Sequence, residues 1–230
     1  MRAFFRTIAG RIGDPTCILT IGMVACMAAL VACSPAPPRA NVIADTTRTA
    51  EAALSRARSD PRLQGLDDNM KRARAVLIIA PGESSGVVIA RDGKEGKWVG
   101  PAFYQVLRLD VGGGAMGFRA GETDLALVAL AMSPKAVDWL VHPTVPGKGG
   151  LIVASGLDTA TRASGGTGAP DMLLYDLGGA RMPNFDGVLI AVDKAANAAY
   201  YARPVTPDDI LLNNAASNPA AASLFEAAGR

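Results

Sequence analysis

Residues 75–90 read Ala75-Val76-Leu77-Ile78-Ile79-Ala80-Pro81-Gly82-Glu83-Ser84-Ser85-Gly86-Val87-Val88-Ile89-Ala90, and this stretch decides the fold class. Two short aliphatic runs, Ala75 to Ile79 and Val87 to Ala90, flank the turn residues Pro81 to Gly86. Runs of four or five apolar residues bounded by Pro, Gly and Ser are the mark of buried strands joined by a turn. Further strands are expected downstream. Phe103 to Val111 sets Phe103, Leu107 and Leu109 against Arg108 and Asp110, the alternation of a half-buried strand. Leu125 to Ala131, Leu151 to Ser155, Met172 to Tyr175 and Val188 to Val192 continue the series, and Arg91-Asp92-Gly93-Lys94 is another turn signal.

Upstream the period changes to that of a helix. Ala50, Ala53, Leu54 and Ala57 recur at helical spacing between Asp45 and Arg58, and Asp60-Pro61 interrupts the run. A second helix is expected from Leu63 to Arg74, with Leu63, Leu66 and Met70 on one face and Lys71, Arg72 and Arg74 in its last turn, where cations complement the helix dipole. Later helices are few. Ser133-Pro134 has the form of an N-cap followed by proline in the first turn, Thr206-Pro207-Asp208-Asp209 repeats the signal, and Asn218-Pro219 opens a weak helix in an Ala-rich tail. The fold expected is α+β: two N-terminal helices packed on a mainly antiparallel sheet, open or barrel-like.

Leu30-Val31-Ala32-Cys33 ends an uncharged stretch, Pro15 to Ala32, that follows Arg2, Arg6 and Arg11. Basic start, apolar middle and small residues before the cut are the order of a secretory signal. The cysteine makes the motif resemble the bacterial lipobox, in which diacylglycerol is joined to sulfur before the leader is removed. Residues 1–32 are thus expected to be a signal peptide and Cys33 the lipidated first residue of the mature protein. Two alternatives remain at this point: an uncleaved membrane anchor, since the run approaches the roughly 20 residues a span requires, or lipidation at Cys26 within Met23-Val24-Ala25-Cys26. Ser34 follows Cys33 where an aspartate would resemble an inner-membrane retention signal, so the expected location is the outer membrane, facing the periplasm. Each buried methylene of an acyl chain contributes about 0.8 kcal/mol, and two or three chains make the anchor stable without help from the folded domain.

Loss of the leader removes three arginines and Asp14, leaving 20 basic and 20 acidic residues and a formal charge of zero. A mature chain with no excess of positive charge lacks the footprint of nucleic-acid binding. Cys17 and Cys26 leave with the leader and Cys33 is alkylated, so no thiol is left for a disulfide, and a single histidine argues against a transition-metal centre. No cofactor is expected. Ser34-Pro35-Ala36-Pro37-Pro38-Arg39 reads as a short stiff tether, which divides the chain into leader (1–32), tether (33–40), domain (41–212) and Ala-rich tail (213–230).

Three motifs bear on chemistry. Gly82-Glu83-Ser84-Ser85-Gly86 fits G-x-S-x-G, but a nucleophile elbow needs a helix after the serine and Val87-Val88-Ile89-Ala90 is a strand; His142 is the only imidazole base on offer. Gly112-Gly113-Gly114-Ala115-Met116-Gly117 fits G-x-G-x-x-G, with Asp138 about 20 residues beyond, but Gly117-Phe118-Arg119-Ala120-Gly121 is a poor start for the helix that must meet the pyrophosphate. Glycines there suit close strand packing instead. Lys71-Arg72-Ala73-Arg74 is the densest positive cluster of the mature chain: either a solvated helix end or a site for anionic headgroups.

From Met70 to Tyr201 the order of several such pieces resembles the SYLF lipid-binding domain family. The likeness is carried by Lys71-Arg72-Ala73-Arg74 running into Ala75 to Ile79, by Gly86 to Gly93, by Trp98-Val99-Gly100-Pro101-Ala102-Phe103-Tyr104, by Gly112 to Gly121, by Asp124 with Leu125-Ala126-Leu127-Val128, and by Asn197-Ala198-Ala199-Tyr200-Tyr201. The chain departs from the family's glycine-rich pattern between Ile79 and Gly86 and over Gly178 to Gly187. The resemblance implies a non-catalytic domain that binds membrane lipid, with Lys71, Arg72 and Arg74 supplying charge to anionic headgroups. Eukaryotic members are linked to phosphoinositides and actin through N-terminal elements that a lipoprotein leader replaces here, so neither partner carries over. The other expectation is a structural or adaptor lipoprotein whose partner is a protein or peptidoglycan.

Overall fold

The computed structural model describes residues 38–110, 117–120, 126–143, 150–157, 169–178 and 188–229. Contacts divide the chain after Pro37, and everything below concerns the unit that begins at Pro38. Cys33, Gly112 to Met116, Gly121 and Asp124 lie outside the described residues.

Helix α1, Pro38–Ser59, opens inside the stretch read as a tether. Proline is at home in the first turn of a helix, where its missing N–H would have no partner anyway. Ile43, Ala50, Leu54 and Ala57 form the buried face of α1. Helix α2, Leu66–Arg72, is shorter than the sequence suggests. Gly65, at φ +79°, turns the chain into it, and the Arg74 N–H is drawn off to the Ala131 carbonyl at 2.8 Å, so the sheet takes over where the helix was expected to continue.

The sheet contains β1 (Ala75–Ile79), β2 (Ser85–Arg91), β3 (Trp98–Asp110), β4 (Gly117–Ala120), β5 (Leu127–Ala131), β6 (Val153–Ser155), β7 (Met172–Asp176) and β8 (Val188–Val192). Seven strands follow the path β8-β3-β2-β1-β5-β7-β6 and curl into a half-barrel, all pairs antiparallel except β6 with β7. Strand β4 pairs with the end of β3, along the edge that β2 uses earlier. The Gly82 to Gly86 segment joins β1 to β2 as a hairpin, so no elbow of strand and helix exists there.

Strand β3 starts five residues before the alternating pattern does. Gly100-Pro101 looks like a strand breaker, yet Val88 pairs with Ala102 and Ala90 with Val99, so two residues, Gly100 and Pro101, stand opposite Ile89 in a bulge. Proline has no N–H to leave unpaired at such a site. Gly100, at φ +123°, lets the strand approach until an added Cβ would sit 3.1 Å from the Val88 carbonyl.

Both faces of the sheet are covered, which explains why β1 and β5 are buried at every residue. Val76, Ile78, Val87, Ile89, Val128 and Leu130 pack against α1, α2 and the C-terminal helix α5 (Ala222–Ala228). Leu77, Ile79, Val88, Leu127 and Leu174 pack against α3 (Pro134–Val141) and a π-type turn, Asp208–Leu212. Ser133 caps α3 as expected, its hydroxyl accepting from the Ala136 N–H at 3.2 Å. Helix α4, Lys194–Tyr200, has no counterpart among the expected elements; Asp193 caps it, accepting from the Ala196 N–H at 2.8 Å.

Candidate functional site

The hairpin between β2 and β3 builds the site. Asp92 folds that turn, its carboxylate accepting from the N–H groups of Glu95 (2.8 Å) and Lys97 (3.1 Å), and Gly96 takes φ +68°. Arg91 is thereby set directly opposite Trp98. On its other side Arg91 continues the register of Ala75 with Ala90 one step further, opposite Arg74, and the Arg91 N–H bonds the Arg74 carbonyl at 2.7 Å. Arg74, Arg91 and Trp98 therefore form one row across three strands at one end of the sheet.

Like charges directly opposite each other in a sheet destabilise it. Neither Arg74 nor Arg91 has a carboxylate within ion-pair distance among the described residues. Arg91 is half buried; its Nε donates to the Ala73 carbonyl at 3.2 Å, one Nη to the Gly96 carbonyl at 2.6 Å, and its guanidinium lies 4.2 Å from the centre of the Trp98 ring. Burial lowers its pKa from the ordinary guanidinium value, and a group titrating that high stays charged. Trp98 is itself tied down, its indole N–H donating to the Gly229 carbonyl at 3.1 Å.

Beside this row lies a cleft of about 590 Å³. Trp98, Pro219, Ala222 and Phe225 give it apolar walls, and Arg91 and Lys97 stand at its border. Glu95 also borders it but is taken up by Lys97, 2.5 Å away. Asn218 fixes the far wall: its side chain donates to the Tyr200 carbonyl at 2.9 Å and accepts from the Ala220 N–H at 3.0 Å.

The expected cluster divides. Lys71, exposed on the last turn of α2, pairs with Asp68 at 2.9 Å, and this bond raises the lysine's pKa and lowers the carboxyl's. Arg72 donates to the Asn69 side chain. Arg74 alone joins the row with Arg91. Arg91 and Trp98 belong to motifs of the sequence that carry no expected binding role, and Lys97 and Phe225 belong to none. A signal was present, since a hairpin through Arg91-Asp92-Gly93-Lys94 pairs Arg91 with Trp98; Phe225 is 127 positions further on and carries none.

A second cleft, about 810 Å³, is bordered by Val141, His142, Leu189, Lys194, Val205 and Asp208. His142 stands between two carboxylates, Nδ1 at 3.3 Å from Asp138 and Nε2 at 3.2 Å from Asp208. Both of its nitrogens therefore face acids, and Ser84 lies in the β1–β2 connection. Among the described residues no group of three or more His, Cys, Asp or Glu is placed to hold a metal ion, and no helix is long and apolar enough to cross a membrane.

Sheet, bulge and helix order define a mixed α+β domain with both sheet faces covered. The family model described as Ysc84, Las17-binding protein actin regulator, matches residues 112–230, just over half of the chain. The chain belongs to this family, which is that of the SYLF domain. No curated protein and no solved structure matches it.

Proposed function

We propose that the protein is a non-catalytic envelope lipoprotein, held to the outer membrane by acylated Cys33 and facing the periplasm, whose SYLF domain binds anionic lipid through the cationic end of its sheet. The observation that supports this most is the pair Arg74 and Arg91, opposite each other and without a carboxylate partner among the described residues. A phosphate-bearing surface would relieve that repulsion, and each cation near such a surface gains roughly 1 kcal/mol. Helix α1 places Arg58, beside this end of the domain, about 30 Å along its axis from Pro38.

Flotation with phosphatidylglycerol vesicles at low salt, using protein that carries Cys33→Ser, separates the domain's own binding from that of the anchor. Binding is expected, and Arg74→Gln weakens it about fivefold, the factor for roughly 1 kcal/mol. If the protein stays at the bottom of the gradient, the acyl chains are its sole link to lipid.

One observation favours an adaptor role instead. Ile152, Val153 and Leu157 are 40%, 43% and 48% exposed on and beside β6, the last strand of the sheet path. Crosslinking in intact cells that captured one dominant protein or peptidoglycan species would support this second reading over the first.

A further inference from the structure

The cleft next to Trp98 has a composition that the open cationic face does not. A flat surface that meets a bilayer needs only charge, whereas this site places one half-buried guanidinium at the rim of an apolar recess. Arg91 has five N–H donors, two of them used on the carbonyls of Ala73 and Gly96. The other three have no partner among the described residues. Stacking on Trp98 and the two carbonyl bonds fix the plane of the guanidinium, so the donors are already ordered for a planar or tetrahedral oxyanion. Lys97, the other cation at the rim, is neutralised by Glu95. Among the residues that line the cleft, Arg91 alone then keeps a charge without a counter-ion, which suits a single anionic group.

The walls specify the rest of the ligand. Trp98, Phe225, Pro219 and Ala222 present hydrocarbon and aromatic surface without a charged group of their own. A volume of about 590 Å³ lies within the range of small-molecule sites. Water in such a recess is displaced favourably by a chain of methylenes, which neither inorganic phosphate nor a nucleotide ribose supplies.

We propose that this cleft binds one molecule of an anionic amphiphile, with its phosphate head on the free N–H groups of Arg91 and the first part of its hydrocarbon chain against Trp98 and Phe225. This refines the lipid-binding reading of the cationic end and rests on it. The domain then holds a single lipid by head and tail, in addition to meeting a charged surface.

The test uses the full chain in phosphatidylcholine nanodiscs, titrated calorimetrically with hexyl phosphate, inorganic phosphate and hexanol, with empty nanodiscs as the blank. Saturable one-to-one binding of hexyl phosphate is expected, with inorganic phosphate at least tenfold weaker and hexanol without measurable heat. Phe225→Ala should weaken hexyl phosphate at least tenfold while leaving inorganic phosphate unchanged. Arg91→Gln should abolish both; because Arg91 also supports the hairpin, circular dichroism is recorded alongside, and Phe225→Ala carries the test if that variant unfolds. Equal affinity for hexyl phosphate and inorganic phosphate, no binding of either, or indifference to Phe225→Ala would each overturn the proposal. A chain that floats with anionic vesicles yet ignores hexyl phosphate overturns the cleft alone. One that takes hexyl phosphate but does not float overturns the surface reading and leaves the cleft standing.

Discussion

Asn197 bonds both backbone groups of Phe103, whose carbonyl also accepts from the Asp193 N–H at 3.0 Å. Its Oδ1 accepts from the Phe103 N–H at 2.9 Å, and its Nδ2 donates to the Phe103 carbonyl at 3.1 Å. A third bond, from Nδ2 to the Asp193 carbonyl at 3.0 Å, ties the same amide to its own helix. Strand β8 covers β3 only from Tyr104 onwards, so a side chain continues the pairing one residue past the strand's end. Asn197 is fully buried, and Tyr201, one turn on, adds a bond from its hydroxyl to the Pro101 carbonyl at 2.9 Å. Helix α4 is thereby fastened along the bulged half of β3.

Replacement of Asn197 by alanine orphans the buried Phe103 N–H, which costs about 1–3 kcal/mol, while the Phe103 carbonyl keeps its bond from the Asp193 N–H. A loss of about 1–3 kcal/mol is therefore expected in urea unfolding of the domain. Asn197→Asp should be at least as damaging, because a carboxylate would face two carbonyl oxygens in a dry site. A variant Asn197→Ala as stable as the parent would show that the pairing contributes nothing.

Gly156 lies under the ring of Tyr175. A Cβ added there would stand 2.2 Å from the ring's Cζ and within 2.5 Å of both Cε atoms. The ring has little room to retreat, since Asn69 donates to its hydroxyl at 2.6 Å and Tyr175 is buried. Gly156→Ala should cost about 1–3 kcal/mol, the range for forcing a methyl into a packed core. Thermal unfolding of Gly156→Ala and Tyr175→Phe, singly and together, checks this; a Gly156→Ala protein that melts with the parent refutes it.

Asp171 holds the start of α3 to the entry of β6. It accepts from the Ser133 hydroxyl at 2.5 Å and from the Ile152 N–H at 3.0 Å. Burial alone would raise its pKa, but these two bonds and the nearby Lys135 outweigh that and hold the carboxyl below its ordinary value. A group whose pKa is lowered by folding stabilises the folded state above its unfolded value, near 3.9, and loses that contribution as the pH falls through the lower, folded one. Asp171→Ala should therefore destabilise the domain at pH 7 by about 1 kcal/mol, the scale of a net hydrogen bond. The gap from the parent should close below about pH 4. An equal gap at pH 7 and pH 3 would contradict the assignment.

The strands were legible because their cause is local. Val188 to Val192 has the bounds expected, Ala75 to Ile79 likewise, and Ser133-Pro134 opens α3, since aliphatic runs, turn residues and caps act within a few positions. Helix α4 was missed although Asp193 and the alanines around Asn197 give it a cap and a helix-forming run. The first half of β3 was missed because Gly100-Pro101 is compatible with a strand only where that strand bulges, as β3 does by setting both residues opposite Ile89.

The candidate site divides along the same line. Sequence alone determined that cations would collect where α2 gives way to β1, and that apolar runs would form a covered sheet, because charge and hydropathy are carried by each residue wherever it lies. Only the tertiary structure decided that Arg74 would meet Arg91 and that Phe225 would close a recess over Trp98. The last of these joins positions 127 apart, and the energy that brings them together is the burial of α5 against the whole sheet face, a sum over the core that no single stretch of residues expresses.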